Sequence, residues 1–178
     1  MQDVSEQTPL VLVDHPRPGV ALVTLNRPER MNSMAFDVMV PLKAALDEVN
    51  NDNTVRAVVL TGAGRGFSSG ADHKSAGSVP HVAGLTRPTF ALRSMEVLDD
   101  VILALRKLHQ PVIAAVNGAA IGLGCDVACM ADIRISSDSA RYGVTFLKVG
   151  LIPGDGGAWL LPRVIGMSRA CELLFTGN

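Results

Sequence analysis

Apolar positions along this chain change period several times, and each change marks a strand or a helix. After a polar, loose start over residues 1–9, short apolar runs at 10–13 and 20–25 flank His15-Pro16-Arg17-Pro18-Gly19, a turn signal. They predict an opening hairpin. Residues 26–32, NRPERMN, read as a solvated connector. Ser33 is placed to cap a helix whose apolar stripe runs through Phe36, Met39, Val40, Leu46 and Val49. Pro41 conflicts with that helix and predicts either a kink or a later start. The β-branched run 55–60 predicts a strand covered on both faces.

Residues 77–88 lack periodicity and predict a loop long enough to cover a site. Helical spacing returns over 90–108 through Met95, Leu98, Ile102 and Leu105, and stops at His109-Gln110-Pro111. A buried strand over 112–116 leads through Asn117-Gly118 into a glycine turn and an apolar helix near Cys125. A short strand at 133–136 follows, then an apolar segment at 142–146 whose type the pattern leaves open. LIPGDGG at 151–157 is a turn, 159–165 a short helix despite Pro162, and Ser168 a cap for a helix over 169–175. No internal repeat and no linker is evident. The order predicts one layered α/β domain over residues 1–178.

Composition narrows the functions. Hydrophobic residues make up 48% and charged residues 19%, which suits a globular core. A net charge of -1, from 16 basic and 17 acidic residues without like-charge runs, builds no face for nucleic acid. Residues 111–131 are long and apolar enough to raise a membrane span. Asn117, Asp126 and the glycines there predict a buried strand-turn-helix instead. No cationic-then-apolar leader opens the chain. Cys125, Cys129 and Cys171 form no disulfide framework, and their odd number suits a reducing cytoplasm.

Two glycine turns each follow a strand: TGAGRGFSSGAD at 61–72 and the one ending AAIGLG at 119–124. Glycine lets backbone approach a ligand closely, and the free N–H groups that open a helix attract negative charge. Facing each other, such turns would hold an oxygen that becomes anionic during a reaction. The first turn superficially suggests a dinucleotide fingerprint, but it is followed by more turn instead of helix. No phosphate loop of the ATPase kind is spelled, and Ser68 and Ser69 do not sit in Gly-x-Ser-x-Gly. None of His15, His73, His81 and His109 has metal-ligand spacing. His73 is read either as a ligand donor or as a surface histidine. Asp126, in an apolar helix, is either a working acid or a helix-terminal aspartate. Asp72 and Asp155 sit in turns and are equally open to structural readings.

Taken together, NRPERMN at 26–32, VVLTG at 58–62, FSSGAD at 67–72, residues 111–126, ADIR at 131–134 and GLIPGDGG at 150–157 resemble the enoyl-CoA hydratase/isomerase (crotonase) superfamily. The resemblance implies a spiral of repeated ββα units and a site for an acyl-CoA thioester. It gives the oxyanion donors as the N–H groups of Ala71 and Leu123. It places Arg27 and Arg30 at the CoA phosphates, and Ser69, Gly70, Asp72, His73, Gly122 and Phe146 around the substrate. No metal or nicotinamide is implied; CoA arrives as part of the substrate.

Family hydratases carry glutamates where this chain has Asp126 and Phe146. Asp126 keeps a carboxyl with a reach shorter by roughly 1.5 Å, whereas Phe146 moves no proton. Asp155 stands one place after the aspartate of dienoyl isomerases, which would fall at Gly154. The leading expectation is hydration of a 2-enoyl-CoA with Asp126 as acid/base. The alternatives are a dienoyl-CoA isomerase or specialised acyl-CoA hydrolase in which Asp155 takes part, and a non-catalytic acyl-CoA-binding or scaffold protein. The C-terminal helices of the family are expected to be lacking. Trimers or hexamers are expected where those helices exist.

Overall fold

The computed structural model describes residues 8–72 and 86–177. The expected loop over 77–88 and the candidate His73 lie wholly or largely outside them. Strands β1 (Val11–Arg17) and β2 (Val20–Leu25) form the expected antiparallel hairpin. β1 nevertheless runs on through His15 and Pro16, leaving Pro18-Gly19 as the turn, with the register shifting between Asp14 and Arg17. Pro16 is tolerated because β1 is the edge strand and needs no N–H there.

Helix α1 (Phe36–Asn51) starts later than the Ser33 cap predicts; Ala35 occupies the cap without a side-chain bond. Ser33 Oγ lies instead 3.4 Å from Asp72 Oδ2. Pro41 sits inside the helix. The lost backbone bond is offset by a buried face of Val38, Met39, Leu42, Leu46 and Val49. Val40, placed in that stripe by the sequence pattern, faces outward.

β3 (Ala57–Gly62) begins two residues later than expected and alternates buried with half-buried positions. It is followed by β4 (Gly66–Ser68), α2 (Arg87–Lys107), β5 (Val112–Val116), β6 (Ala119–Ile121) and α3 (Leu123–Met130). Then come β7 (Ile133–Ser136) and β8 (Arg141–Gly143), which with a 3-10 turn at Phe146–Val149 resolves the untyped segment 142–146. The chain closes with α4 (Gly157–Ile165) and α5 (Met167–Thr176). Gly166, not Ser168, caps α5.

The strands divide between a sheet ordered β1-β2-β3-β5-β7 and a smaller parallel sheet ordered β4-β6-β8. Each pair β3/β4, β5/β6 and β7/β8 therefore gives its first strand to one sheet and its second to the other. This is the spiral of ββα units. The repeat exists in space without a sequence period, because the stretch from β4 through α2 is much longer than its counterparts. Met34 bridges Ala71 in the same sense as the small sheet's strands. The core fills the space between sheets and helices with Leu25, Leu42, Leu60, Phe67, Val116 and Val127. Cys125 and Cys129 are buried free thiols within it. No described helix is long and apolar enough to cross a membrane, and no described cluster of three metal-ligating side chains occurs.

Candidate active site

The first glycine turn leaves β4 through Ser68, whose hydroxyl donates to Asn32 O (2.8 Å) and accepts from Gly70 N–H (3.1 Å). Ser69 N–H donates to Met31 O at 2.9 Å, Met34 N–H to Gly70 O at 2.8 Å, and Asp72 N–H to Met34 O at 2.9 Å. The backbone around Ala71 is thus pinned on both sides, while the Ala71 N–H has no acceptor among the described residues. In the second turn Gly122 N–H donates to Gly143 O at 2.8 Å, and Gly122 adopts φ 52°. Leu123 opens α3, so its N–H is one of the helix's orphan donors and has no described acceptor.

The turns do face each other. A Cβ on Gly70 would stand 2.5 Å from Ile121 O and 3.3 Å from Leu123 N. Only glycine permits that approach together with the φ of 90° seen at Gly70.

Both turns open into a cavity of about 740 Å³. Met34, Phe36 and Met39 near the start of α1 form one wall, with Met95 and Leu98 of α2 beside them. Gly122, Leu123, Thr145 and Phe146 form another, and Leu151, Ile152 and Asp155 close a third side. The Phe146 ring reaches within 4.0 Å of the place a Gly122 Cβ would take, and so stands over the second turn.

The two candidate acids occupy different positions. Asp155, 7% exposed, lines the cavity. Asp126, 0% exposed, does not; among the described residues neither of its carboxyl oxygens has a hydrogen-bond partner. A Cβ on Gly157 would stand 2.6 Å from Asp126 Cγ, so the bare start of α4 seals this carboxyl in. Burial pushes Asp126 up to about 8, helped by the charge of Asp155 and by Cys129. Burial also raises Asp155, to about 6, with the charge of Asp99 on α2 adding to it. Between these values Asp155 is ionised and Asp126 neutral, so one base faces the cavity with a protonated acid behind it.

The 26–32 loop is not a solvated connector. Asn32 is fully buried, accepts from Arg27 N–H at 2.8 Å and donates to Ala63 O and Gly66 O. Arg27 turns inward, its side chain 11% exposed, beside Asp72 (3.3 Å), Asp37 (3.8 Å) and Glu29 (3.9 Å). Arg30 grips both Asp72 oxygens at 2.8 and 3.0 Å while keeping a more exposed guanidinium. The Asp72 carboxylate therefore ties this loop to the first turn, and Arg30 is the better placed of the two arginines to meet an anion.

Asn32, Asn117 and the methionine wall are not legible in the sequence as site components, and Ser68, weighed there only as a nucleophile, is a hydrogen-bonding clamp. Asn32 adopts a left-handed conformation (φ 53°), which asparagine tolerates well. Asn117 donates to Gly62 O and Gly64 O across β3 and β5, a pairing visible only after folding.

Comparisons with known proteins bear on the family and the fold. The family model described as enoyl-CoA hydratase/isomerase matches residues 16–178. The probable enoyl-CoA hydratase EchA12 of Mycobacterium bovis is 69% identical over 170 residues, 95% of this chain and 60% of that one. A crystal structure of a probable enoyl-CoA hydratase/isomerase from Mycobacterium abscessus superposes with a TM-score of 0.88 at 56% identity, covering 96% of this chain and 63% of that one. A monofunctional enoyl-CoA isomerase from M. smegmatis gives 0.77 at 55% identity, covering 96% and 69%. The chain spans about 60% of the length of the curated relatives it matches.

Proposed function

This chain belongs to the enoyl-CoA hydratase/isomerase family, and on that footing we propose that it acts on an acyl-CoA thioester by stabilising its enolate, moving a proton within an unsaturated acyl group. The observation that carries this is the cavity in which the Ala71 and Leu123 N–H groups have no acceptor among the described residues, and in which Asp155 lines the wall while the other lining carboxylate, Asp72, is held by Arg27 and Arg30.

The thioester oxygen sits between the two N–H groups. Ionised Asp155 takes a proton from the carbon next to the double bond. From C2 of a 3-enoyl-CoA the C–H electrons pass directly onto the thioester oxygen, the neighbouring double bond extends the anion to C4, and the N–H groups meet the developing charge. Asp155 then returns the proton to the other end of the allylic system, and the double bond has shifted with no net change in atoms. Asp126 keeps its proton throughout. Hydration is the second reading, favoured by the printed name of the Mycobacterium bovis relative. It requires a water at the β-carbon, and Phe146 offers that water no polar atom.

The same reading includes a cytoplasmic location and, where the family's C-terminal helices are present, assembly into trimers or hexamers. Exposed Ile133, Ile135 and Leu147 supply apolar surface for such assembly.

The test is product analysis with a 3-enoyl-CoA and a 2-enoyl-CoA, the Asp155→Asn protein alongside. A shifted double bond, lost by 10²–10⁴-fold in the variant, is expected for a positioned acid/base group. A 3-hydroxyacyl-CoA product would select hydration. Thioester binding without turnover of any substrate would select the non-catalytic alternative.

A further inference from the structure

Thr145 occupies the N-cap of the 3-10 turn at Phe146–Val149, a position where a threonine hydroxyl ordinarily satisfies one of the free N–H groups that open a helix. Here it makes no such bond; the turn is closed by the backbone, with Lys148 N–H donating to Thr145 O at 3.0 Å. Two glycines show which way the side chain points. Its methyl lies 3.6 Å from the place a Gly143 Cβ would take, and its hydroxyl 3.9 Å from the place a Gly122 Cβ would take. The hydroxyl therefore faces the open side of the second turn, within the cavity wall and one residue before the Leu123 donor. Thr145 is half-buried, and its hydroxyl has no hydrogen-bond partner among the described residues.

A substrate that fills this space strips water from the hydroxyl, and a ligand that left it unpaired would bind at a cost. The acceptor that the proposed chemistry brings to the second turn is the thioester oxygen. A carbonyl oxygen has two lone pairs, which the Ala71 and Leu123 N–H groups take. An enolate oxygen has three, so a third donor is engaged as the charge forms.

We infer that the Thr145 hydroxyl is a third oxyanion donor, a catalytic residue that hydrogen-bonds the thioester oxygen as it becomes an enolate. The inference rests on the enolate reading above and adds a side chain to its two backbone donors. A bond that matures in the transition state acts on kcat and leaves KM nearly unchanged. It acts on the oxygen and not through Asp155, so the pH profile stays that of the parent.

Exchange of the C2 protons of butanoyl-CoA in D2O reads enolate formation directly, because a saturated chain has no double bond to shift or hydrate. The exchange rate would be compared in the parent, Thr145→Val and Thr145→Ser, with kcat and KM for a 3-enoyl-CoA alongside. Valine keeps the shape and loses the hydroxyl, whereas serine keeps the hydroxyl. Thr145→Ala repeats the test should the valine protein not fold. Removing one oxyanion donor costs about 10²–10³-fold, and Thr145→Val should lower both exchange and kcat by at least about tenfold. KM should stay within about twofold, the pH profile should not shift, and Thr145→Ser should remain within about threefold of the parent.

A valine protein within about threefold of the parent, or a serine protein as slow as the valine one, would overturn the inference and leave the enolate reading standing. A loss confined to KM, or a shifted pH profile, would overturn it equally. Neither exchange nor turnover in the folded parent would overturn the enolate reading itself, and this inference with it.

Discussion

The two sides of the cavity are held in place by opposite means. On the donor side hydrogen bonds through Ser68, Asn32, Met31, Met34 and Gly143 pin the two turns, while the Ala71 and Leu123 N–H groups have no acceptor among the described residues. On the acid side the reverse holds: among the described residues Asp126 has no partner for either oxygen, and burial raises Asp155. A hydrogen-bond network of this kind fixes geometry and does not respond to pH near neutrality. Buried carboxyls without partners keep their protons to unusually high pH, and so respond strongly. The contrast predicts that substitutions on the donor side change rates at every pH, while those on the acid side reshape the pH profile.

The largest effect is expected where the donor side has no slack. Gly70→Val combines a φ of 90° with a Cβ set against Ile121 O at 2.5 Å, so the two turns must part. Separating the donors should lower kcat by about 10²–10³-fold, the cost of removing one oxyanion donor. The loss should be the same at pH 6 and pH 8. A folded variant within tenfold of the parent would show that the turns need not meet.

On the acid side, Asp126→Asn separates the geometry from the sequence expectation. If Asp126 were the proton-transfer group, the amide would abolish activity. Sealed behind Gly157 and already neutral below about pH 8, it should instead lose less than about threefold near pH 7. Above pH 8 the parent gains a second negative charge beside Asp155 and the enolate, and its rate falls. One unit above the midpoint the charged form outnumbers the neutral one about ten to one. The variant should then be about tenfold faster than the parent at pH 9.

The groups that bear on Asp126 are Asp155, Cys129 and, through Asp155, Asp99 on α2. Stability should follow the same sign. The native Asp126 keeps a proton that the unfolded chain releases above its ordinary value of 3.8, so the parent loses stability as pH rises from there to about 8. The variant lacks that contribution to the slope. Urea midpoints at pH 5 and pH 8 check it; parallel changes in both proteins would refute the burial argument.

The same contrast explains what the sequence made legible. The donor side is local: strand β5, its glycine turn and the opening of α3 lie within a few residues, and glycine advertises the turn. The hairpin and β7 are readable for the same reason. Strands β4, β6 and β8 have three residues each, too few for a period to register, so the second sheet was not legible from pattern. The acid side is tertiary. Asp155 in GDGG looks like any turn aspartate, and its place in the cavity depends on α4 packing against α3. Asp126 is suspicious in sequence, yet only the contact with Gly157 decides that it points away from the cavity. Ser68 was weighed as a nucleophile, a role that its buried hydroxyl, engaged by two backbone groups, does not support.

Ser68 also supplies the smallest and most specific test of the contrast. Its hydroxyl donates to Asn32 O and accepts from Gly70 N–H, so it clamps the NRPERMN loop to the residue before the Ala71 donor. Ser68→Ala leaves two buried backbone groups without partners, which costs about 1–3 kcal/mol each when no water replaces the hydroxyl. Part of that cost appears as lower stability. The rest appears as a looser Ala71 N–H, which matters most when the thioester oxygen carries full negative charge. The expected result is a kcat lower by about three- to tenfold, KM within about twofold, and an unshifted pH profile. A purely structural hydroxyl would lower Tm without this kcat–KM split, and a shifted profile would mean that the donor and acid sides are coupled through the first turn.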